Sequence, residues 1–156
     1  MRNRLVSDFS SRNMTKVIEV PKGDKRLHGF DAYVDYKNKN DAIIYNDKTQ
    51  PAVQKRASVY HEKGHIACRQ VWGKDKYVEW DKKSHNELKR FHWYKEMKEG
   101  HTHNRMPEEM LCELYGQYKA GLIKESDLKW FAKKYPQSTE NLKRMAKETG
   151  LKIDNW

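Results

Sequence analysis

Two histidines, four residues apart near the middle of the chain, constrain its folding more than any other feature. They begin and end the segment His61–His65, which reads HEKGH. Side chains at positions i and i+4 share one face of an α-helix, one turn apart, so a helix here lets both imidazoles aim a ring nitrogen at one metal ion. The spacing therefore predicts that residues 61–65 are helical.

Glu62 lies between the two histidines and points to the side of the face that they share. Zinc suits such a face because it binds imidazole well and lowers the pKa of a bound water toward about 7 when one coordination position is left open. The Glu62 carboxylate can take a proton from that water and return it to the leaving amine of a peptide bond. The HExxH pattern therefore predicts a zinc metallopeptidase, a hydrolase with His61 and His65 as metal ligands and Glu62 as the catalytic base.

A catalytic zinc needs a third protein ligand. The extended motif with a third histidine six residues after His65 is excluded, because Val71 stands there. A later predicted helix offers three carboxylates, those of Glu108, Glu109 and Glu113. Acidic residues also favour the first turn of any helix. Residue chemistry therefore leaves the choice among the three open.

The chain before the motif has the pattern of short strands. Thr15–Val20 is rich in β-branched residues, Phe30–Tyr36 alternates apolar and polar positions, and Ala42–Tyr45 is apolar. The turn-like segment Lys37–Asp41 makes a hairpin the economical connection between the last two. These features predict a small antiparallel sheet.

Capping signals and helical periodicity predict five helices. The zinc helix is expected to begin near Pro51, with Thr49 or Gln50 as its cap, and to end at about Trp72 because Gly73 follows. The later helices are predicted from a capping box at Ser84 and Glu87 to Gly100, from Pro107 to Gly121, over Ser126–Tyr135 and over Ser138–Glu148. The expected fold class is α+β, with the sheet packed on the zinc helix and additional helices in the C-terminal half.

The 156 residues are enough for one domain and too few for two ordinary ones. A single domain over 1–156 is therefore expected, with residues 1–14 as a loose arm and residues 122–156 as a helical extension. The two cysteines, Cys68 and Cys112, fit a reducing compartment, with Cys68 as a buried small apolar residue. No signal-peptide pattern and no apolar run of about 18–20 residues is present, so a cytoplasmic protein without a membrane partner is expected.

The formal net charge of +10 favours an acidic partner. Nucleic acid is one such partner, and the two last predicted helices carry six lysines and arginines that could contact DNA. Their apolar positions favour packing on the body of the protein or docking of a substrate protein. A basic nucleic-acid-binding module with an accidental HExxH segment is thus a rival to the enzyme.

The sequence around the motif resembles the ImmA/IrrE zinc peptidases. In that family a strand ending in asparagine precedes a basic HExxH helix, as Ala42–Asn46 precedes Gln54–His65 here. A later family helix reads Glu-x-x-Ala-Asp/Asn-x-Phe-Ala, and its positions are taken here by Glu109, Cys112, Glu113, Tyr115 and Gly116. The resemblance covers about residues 29–120. It implies that Glu109 is the third zinc ligand and that Glu113 orients a ligand histidine.

Members of this family are intracellular, often belong to phages or other mobile elements, and cut or inactivate repressor proteins. The resemblance therefore implies a cytoplasmic protein substrate such as a transcriptional regulator. A descendant of the same fold that inactivates its partner by binding alone is the other rival. A residue that stabilises the oxyanion would complete an active site, and His101, His103 and Tyr115 are candidates by residue type.

Overall fold

The computed structural model of this protein describes residues 15–37, 41–100 and 106–148. The predicted arm 1–14, the end of the C-terminal extension from 149 to 156, and both His101 and His103 lie outside the described residues. The described elements are three strands, a 3-10 turn and five α-helices. The strands are β1 (Thr15–Val20), β2 (Ala32–Tyr36) and β3 (Ala42–Asp47), with the 3-10 turn at Lys25–Leu27; the helices are α1 (Ala52–Leu88), α2 (His92–Gly100), α3 (Met106–Lys119), α4 (Glu125–Lys134) and α5 (Pro136–Glu148). The α+β fold class is confirmed.

The sheet has the strand order β1-β3-β2 and is mixed. Strands β2 and β3 form the expected antiparallel hairpin, in which Tyr36 pairs with Ala42. The expectation of an antiparallel arrangement is wrong for β1, which runs parallel to β3. The reason lies in the connection from β1 to β2, which carries the 3-10 turn. Leu27 of that turn is buried with Val20 and Tyr45, so the connection folds across the end of β3 instead of closing a tight hairpin.

Helix α1 is continuous for 37 residues and passes through Gly73, so the predicted end near Trp72 is wrong. A glycine inside a helix costs about 1 kcal/mol relative to alanine. Burial beyond the glycine outweighs that cost, because Trp80 and Leu88 are both buried in the main core. Tertiary packing therefore extends α1 beyond its local stop signal.

The predicted capping box at Ser84 and Glu87 is also wrong, because both residues lie inside α1. The buried Ser84 hydroxyl accepts a hydrogen bond from Asn141 Nδ2 at 2.8 Å. The Glu87 carboxylate accepts the backbone N–H groups of Gln137 and Ser138, at 2.8 and 2.6 Å. The two side chains thus connect α1 to the first turns of α5, and Glu87 caps a different helix from the one predicted.

The start of α1 agrees with its prediction, but the cap does not. The residue at the N-cap position is Pro51, without a side-chain hydrogen bond. The Gln50 side chain instead donates to Asn46 Oδ1 at 2.7 Å and accepts from Ser58 Oγ at 2.8 Å. This network joins the end of β3 to the first turns of α1. The bounds of α3, α4 and α5 agree with their predictions to within two residues, and α5 ends at Glu148 as predicted.

The sheet packs on the first half of α1 through Ala42, Ile44 and Ile66. The main core lies on the other side of α1, where buried side chains of α3, α4 and α5 meet it. Cys68 is fully buried there, as expected, with its Sγ 3.4 Å from Met145 Sδ. Among the described helices, none combines the length and apolarity needed to cross a lipid bilayer.

Helices α1 and α3 cross at very short distance, and glycine makes this possible. A Cβ atom on Gly116 would lie 2.5 Å from the Ala57 carbonyl oxygen and 3.0 Å from the backbone nitrogen of His61. A Cβ atom on Gly64 would lie 2.9 Å from Cys112 Sγ. The crossing places the acidic residues of α3 opposite the histidines of α1.

Substitution of Gly116 by alanine should destabilise the protein although alanine favours helices. Its methyl group would meet backbone atoms of α1 that cannot move aside, so we expect the free energy of unfolding to fall by about 1–3 kcal/mol. Urea denaturation measures this. Gly64→Ala is the matched comparison: its clash is with a side-chain sulfur, and Cys112→Ala should relieve part of it. An unchanged or higher stability of Gly116→Ala would show that the helices are farther apart than described here.

Candidate metal centre

Three side chains from α1 and α3 converge on one point. His61 Nε2 lies 3.2 Å from His65 Nε2 and 2.7 Å from Glu109 Oε1. The other carboxylate oxygen of Glu109 lies 3.1 Å from His65 Nε2. One donor atom from each residue falls within 4.8 Å of the others, so this group could hold a metal ion. The i, i+4 spacing of the histidines and the α1–α3 crossing produce this convergence.

Two further carboxylates of α3 contact the Nδ1 atoms of the imidazole rings, on the side away from the centre. Glu113 Oε2 lies 2.8 Å from His61 Nδ1, and Glu108 Oε2 lies 2.5 Å from His65 Nδ1. An Nδ1–H donated to a carboxylate fixes the ring orientation and directs Nε2 toward the centre. Gln117 Nε2 in turn donates to Glu113 Oε1 at 2.7 Å. Residue type alone did not separate the three acidic side chains, but the fold places only Glu109 between the two Nε2 atoms.

In the metal-free protein these contacts hold protons on the histidines. Burial by itself lowers the pKa of His61, but hydrogen bonds to Glu109 and Glu113 outweigh it and raise the pKa to about 9. Burial likewise opposes a charge on His65, yet hydrogen bonds to Glu108 and Glu109 raise its pKa well above 6.5. Burial raises the pKa of Glu109, but the hydrogen bonds from both histidines lower it far below its usual range. Without metal, the centre is therefore a network of imidazolium and carboxylate groups.

Glu62 is partly buried beside this network. Burial raises the pKa of its carboxyl group; the charges of His65 and His61 lower it, and those of Glu109 and Glu108 raise it. In the described part of the chain, no hydrogen bond or ion pair engages the Glu62 carboxylate. A desolvated carboxylate that is not engaged by a hydrogen bond or an ion pair can accept a proton from a water molecule at the centre.

Two residues that the sequence reasoning missed lie near the centre. The Arg69 guanidinium lies 4.0 Å from the centroid of the Tyr36 ring. Burial raises the pKa of Tyr36, as does the charge of Glu108, while Arg69 lowers it. Arg69 stands four residues after His65, a spacing that places it on the metal face of α1. That spacing was a usable signal for Arg69, but a tyrosine at the end of a strand gives no such signal.

The other candidates for stabilising an oxyanion do not gain support. Tyr115 belongs to the main core, where its ring packs edge to face with Tyr60 at a centroid distance of 6.1 Å. His101 and His103 lie outside the described residues. Among the described residues considered for this role, Tyr36 therefore remains, because its hydroxyl group is influenced by the charges of Glu108 and Glu62.

A cavity of about 490 Å³ lies beside the centre. Glu109 and Glu113 form one wall, and Trp93, Met97 and Met110 form apolar parts of the lining. Glu109 belongs both to this cavity and to the group that could hold a metal ion, so a molecule in the cavity can contact this candidate ligand.

No family model, curated protein or solved structure matches this chain. The resemblance to the ImmA/IrrE peptidases therefore stays a prediction that depends on the motifs quoted above.

The three acidic residues should differ in their effect on metal binding. We expect about one zinc ion per chain, lost in His61→Ala and in His65→Ala because too few ligands remain. Glu109→Gln should weaken binding more than Glu108→Gln or Glu113→Gln, each of which should cost about 10–100-fold because it removes only a support of a ligand. Competition with a chromophoric chelator measures these affinities. A larger effect of Glu108→Gln or Glu113→Gln than of Glu109→Gln would contradict the proposed ligand set.

Protons should compete with the metal. Because the pKa of His61 is raised from 6.5 to about 9, its stabilising contribution to the metal-free protein is complete below pH 6.5 and is lost as the pH rises through about 9. Thermal unfolding with excess chelator should therefore occur at lower temperature at the upper end of this range. Zinc affinity should increase over the same range as the imidazoles lose their protons. His92→Gln, a substitution of an exposed histidine, should leave both trends unchanged; a zinc affinity independent of pH would refute the proton competition.

Proposed function

We propose that this protein is a zinc-dependent metallopeptidase that hydrolyses a peptide bond in a cytoplasmic protein. The observation that carries the proposal is the convergence of the Nε2 atoms of His61 and His65 with the carboxylate of Glu109. Two imidazoles and one carboxylate are the donor set of well-known catalytic zinc sites, in which a fourth position is left open.

The spacing of the donors supports zinc as the metal. Tetrahedral zinc with bonds of about 2.0–2.1 Å separates its ligand atoms by about 3.3 Å. The two Nε2 atoms here are 3.2 Å apart, which is close to that value, and they lie 2.7 and 3.1 Å from different oxygens of Glu109. The imidazole pair thus already has the spacing of two zinc ligands, and Glu109 would turn one of its two oxygens toward the ion. The carboxylates on both Nδ1 atoms would hold the rings in place during that change.

In this proposal His61, His65 and Glu109 hold the zinc, which when bound supplies a Lewis acid for the scissile carbonyl and lowers the pKa of water. A carboxylate oxygen of Glu62 accepts the proton of the attacking water. Glu62 then delivers that proton to the nitrogen of the leaving amine, which leaves the carboxylate ready for another cycle. The Tyr36 hydroxyl donates a hydrogen bond to the substrate oxygen on which negative charge develops.

The proposed substrate class follows from the motif resemblance. ImmA/IrrE peptidases act on repressor proteins, and the strand asparagine of their pattern corresponds to Asn46. Its side chain donates to the Lys55 carbonyl oxygen at 3.3 Å and accepts from Gln50, so it holds the start of α1 against the sheet. A transcriptional regulator encoded or targeted by a phage or other mobile element is the substrate that we propose.

Glu62→Gln should separate chemistry from metal binding. Glutamine keeps the size of the side chain but cannot accept a proton near neutral pH, so zinc content and stability should survive while hydrolysis slows by about 10²–10⁴-fold. Cleavage of a mixed peptide library, followed by mass spectrometry with zinc and with chelator, measures this. Glu79→Gln, on the exposed part of the same helix, is the matched control and should cut normally.

The possible outcomes distinguish the enzyme from its rivals. An equally active Glu62→Gln variant would eliminate the proposed role of Glu62. A wild-type protein that binds zinc and a partner but cuts neither that partner nor any peptide would favour the descendant that acts by binding. A protein that binds no zinc would remove the metal centre and with it the proposed function.

A further inference from the structure

A second cavity, of about 630 Å³, lies between the start of α2, the middle of α3 and helix α4. Its inner part is aromatic: the rings of Phe91, Phe131 and Tyr135 have centroids 5.0 to 5.5 Å apart. Leu114 and Leu128 complete the apolar lining. A cavity of this size and lining suits a few apolar side chains of one segment or a small ligand.

Exposed apolar side chains gather at the edge of this cavity. Of the six large apolar residues that are exposed in the described ranges, three line it: Trp93, Leu122 and Trp130, which are 43%, 42% and 50% exposed. Single exposed apolar residues are ordinary, but a group of them around a cavity marks an interaction surface. The rigid rings of tryptophan also provide much contact area at low entropic cost.

The charges around the cavity favour an acidic occupant. Arg90 and Lys134 are exposed and belong to its lining, and neither has a carboxylate partner among the described residues. The one acidic residue of the lining, Asp127, accepts the backbone N–H of Lys124 at 3.0 Å and so is committed to the start of α4. The net charge of +10 adds a long-range attraction for an acidic segment.

The aromatic cavity adjoins the cavity beside the candidate metal centre at Trp93. That residue lines both this cavity and the cavity of about 490 Å³ that contains Glu109 and Glu113. A polypeptide anchored in the aromatic cavity can therefore continue past Trp93 toward the centre. This continuity separates the surface from an isolated apolar patch.

We infer that the aromatic cavity docks an acidic segment of the protein substrate, away from the bond that is cut. Leucine and aromatic side chains of the segment occupy the cavity, and neighbouring carboxylates pair with Arg90 and Lys134. The assignment of this partner as a substrate rests on the proposed function, but the docking itself does not. A nucleic acid fits less well, because Lys134 covers one face of the Trp130 ring at 5.4 Å, where a base would stack.

The test measures binding without catalysis. A short fluorescein-labelled peptide with a central tryptophan and leucine flanked by aspartates and glutamates is titrated with the full-length Glu62→Gln protein, and fluorescence anisotropy is recorded. Trp130→Ala should weaken binding about tenfold or more because it removes an exposed anchor without opening the core. Lys134→Glu and Arg90→Glu should do the same through charge. Lys16→Glu, on the outer strand β1, is the matched control and should have no effect.

Several results would overturn the inference. The first two are a Trp130→Ala variant that binds the peptide as tightly as the parent protein, and a peptide with lysines in place of its acidic residues that binds as tightly as the acidic peptide. A single-stranded oligonucleotide that displaces the peptide at similar concentration would favour nucleic acid as the occupant. A concentration-dependent dimer that Trp130→Ala abolishes would favour a second copy of this chain. The test is independent of the proposed hydrolysis. If the protein binds the peptide at the cavity but cuts nothing, the docking surface is supported and only the enzymatic function is refuted. If the protein hydrolyses acidic and neutral peptides and Trp130→Ala changes neither rate, the docking surface is refuted and the enzymatic function is retained.

Discussion

The close crossing of α1 and α3 is the constraint on which the rest of the structure depends. Gly116 leaves no room for a Cβ atom, which would lie 2.5 Å from the Ala57 carbonyl oxygen and 3.0 Å from the His61 backbone nitrogen. At that distance the carboxylates of Glu108 and Glu109 are removed from water, with residue exposures of 5% and 9%. Buried carboxylates cost several kcal/mol unless they are paired and hydrogen-bonded. The histidines of α1 supply that pairing. The close crossing therefore buries the carboxylates and also brings their hydrogen-bond partners within reach.

Helix α1 carries this centre as a rigid support anchored at two places. Near its start, Gln50 links Asn46 of the sheet to Ser58. In its second half, Ser84 and Glu87 bond to α5. Side chains on a helix held in this way keep their mutual geometry when a ligand arrives. The carboxylates bonded to each Nδ1 also fix the orientation of the rings, so both backbone and side chains hold the group that could bind a metal ion.

Local signals predicted the elements that depend on local interactions. The hairpin of β2 and β3, the start of α1, and the helix that carries the acidic residues follow from turn residues, spacing and apolar period. Errors occurred where distant contacts decide. Gly73 fails to end α1 because Trp80 and Leu88 are buried beyond it, and Glu87 caps α5, which is far away in sequence. The parallel pairing of β1 depends on Leu27 in the connection.

The centre shows the same division. The spacing of His61 and His65 is local and predicts a shared face, whereas the choice among three acidic residues depends on how α3 crosses α1. The motif resemblance favoured Glu109, and the crossing places that carboxylate between the two Nε2 atoms. Tyr36 was missed because its proximity to the centre depends on how the sheet packs on α1.

The two connected cavities carry opposite charge although the protein as a whole is basic. Glu96, Glu109 and Glu113 line the one beside the centre, and Arg90 and Lys134 line the aromatic one. A bound metal would engage Glu109, and Glu113 is already paired with His61. Glu96 is exposed and lies 3.0 Å from His92 Nε2, so a basic side chain of a substrate would compete with His92 for this carboxylate. Such a surface distinguishes the two ends of a docked segment, because an acidic anchor favours one cavity and a basic side chain the other.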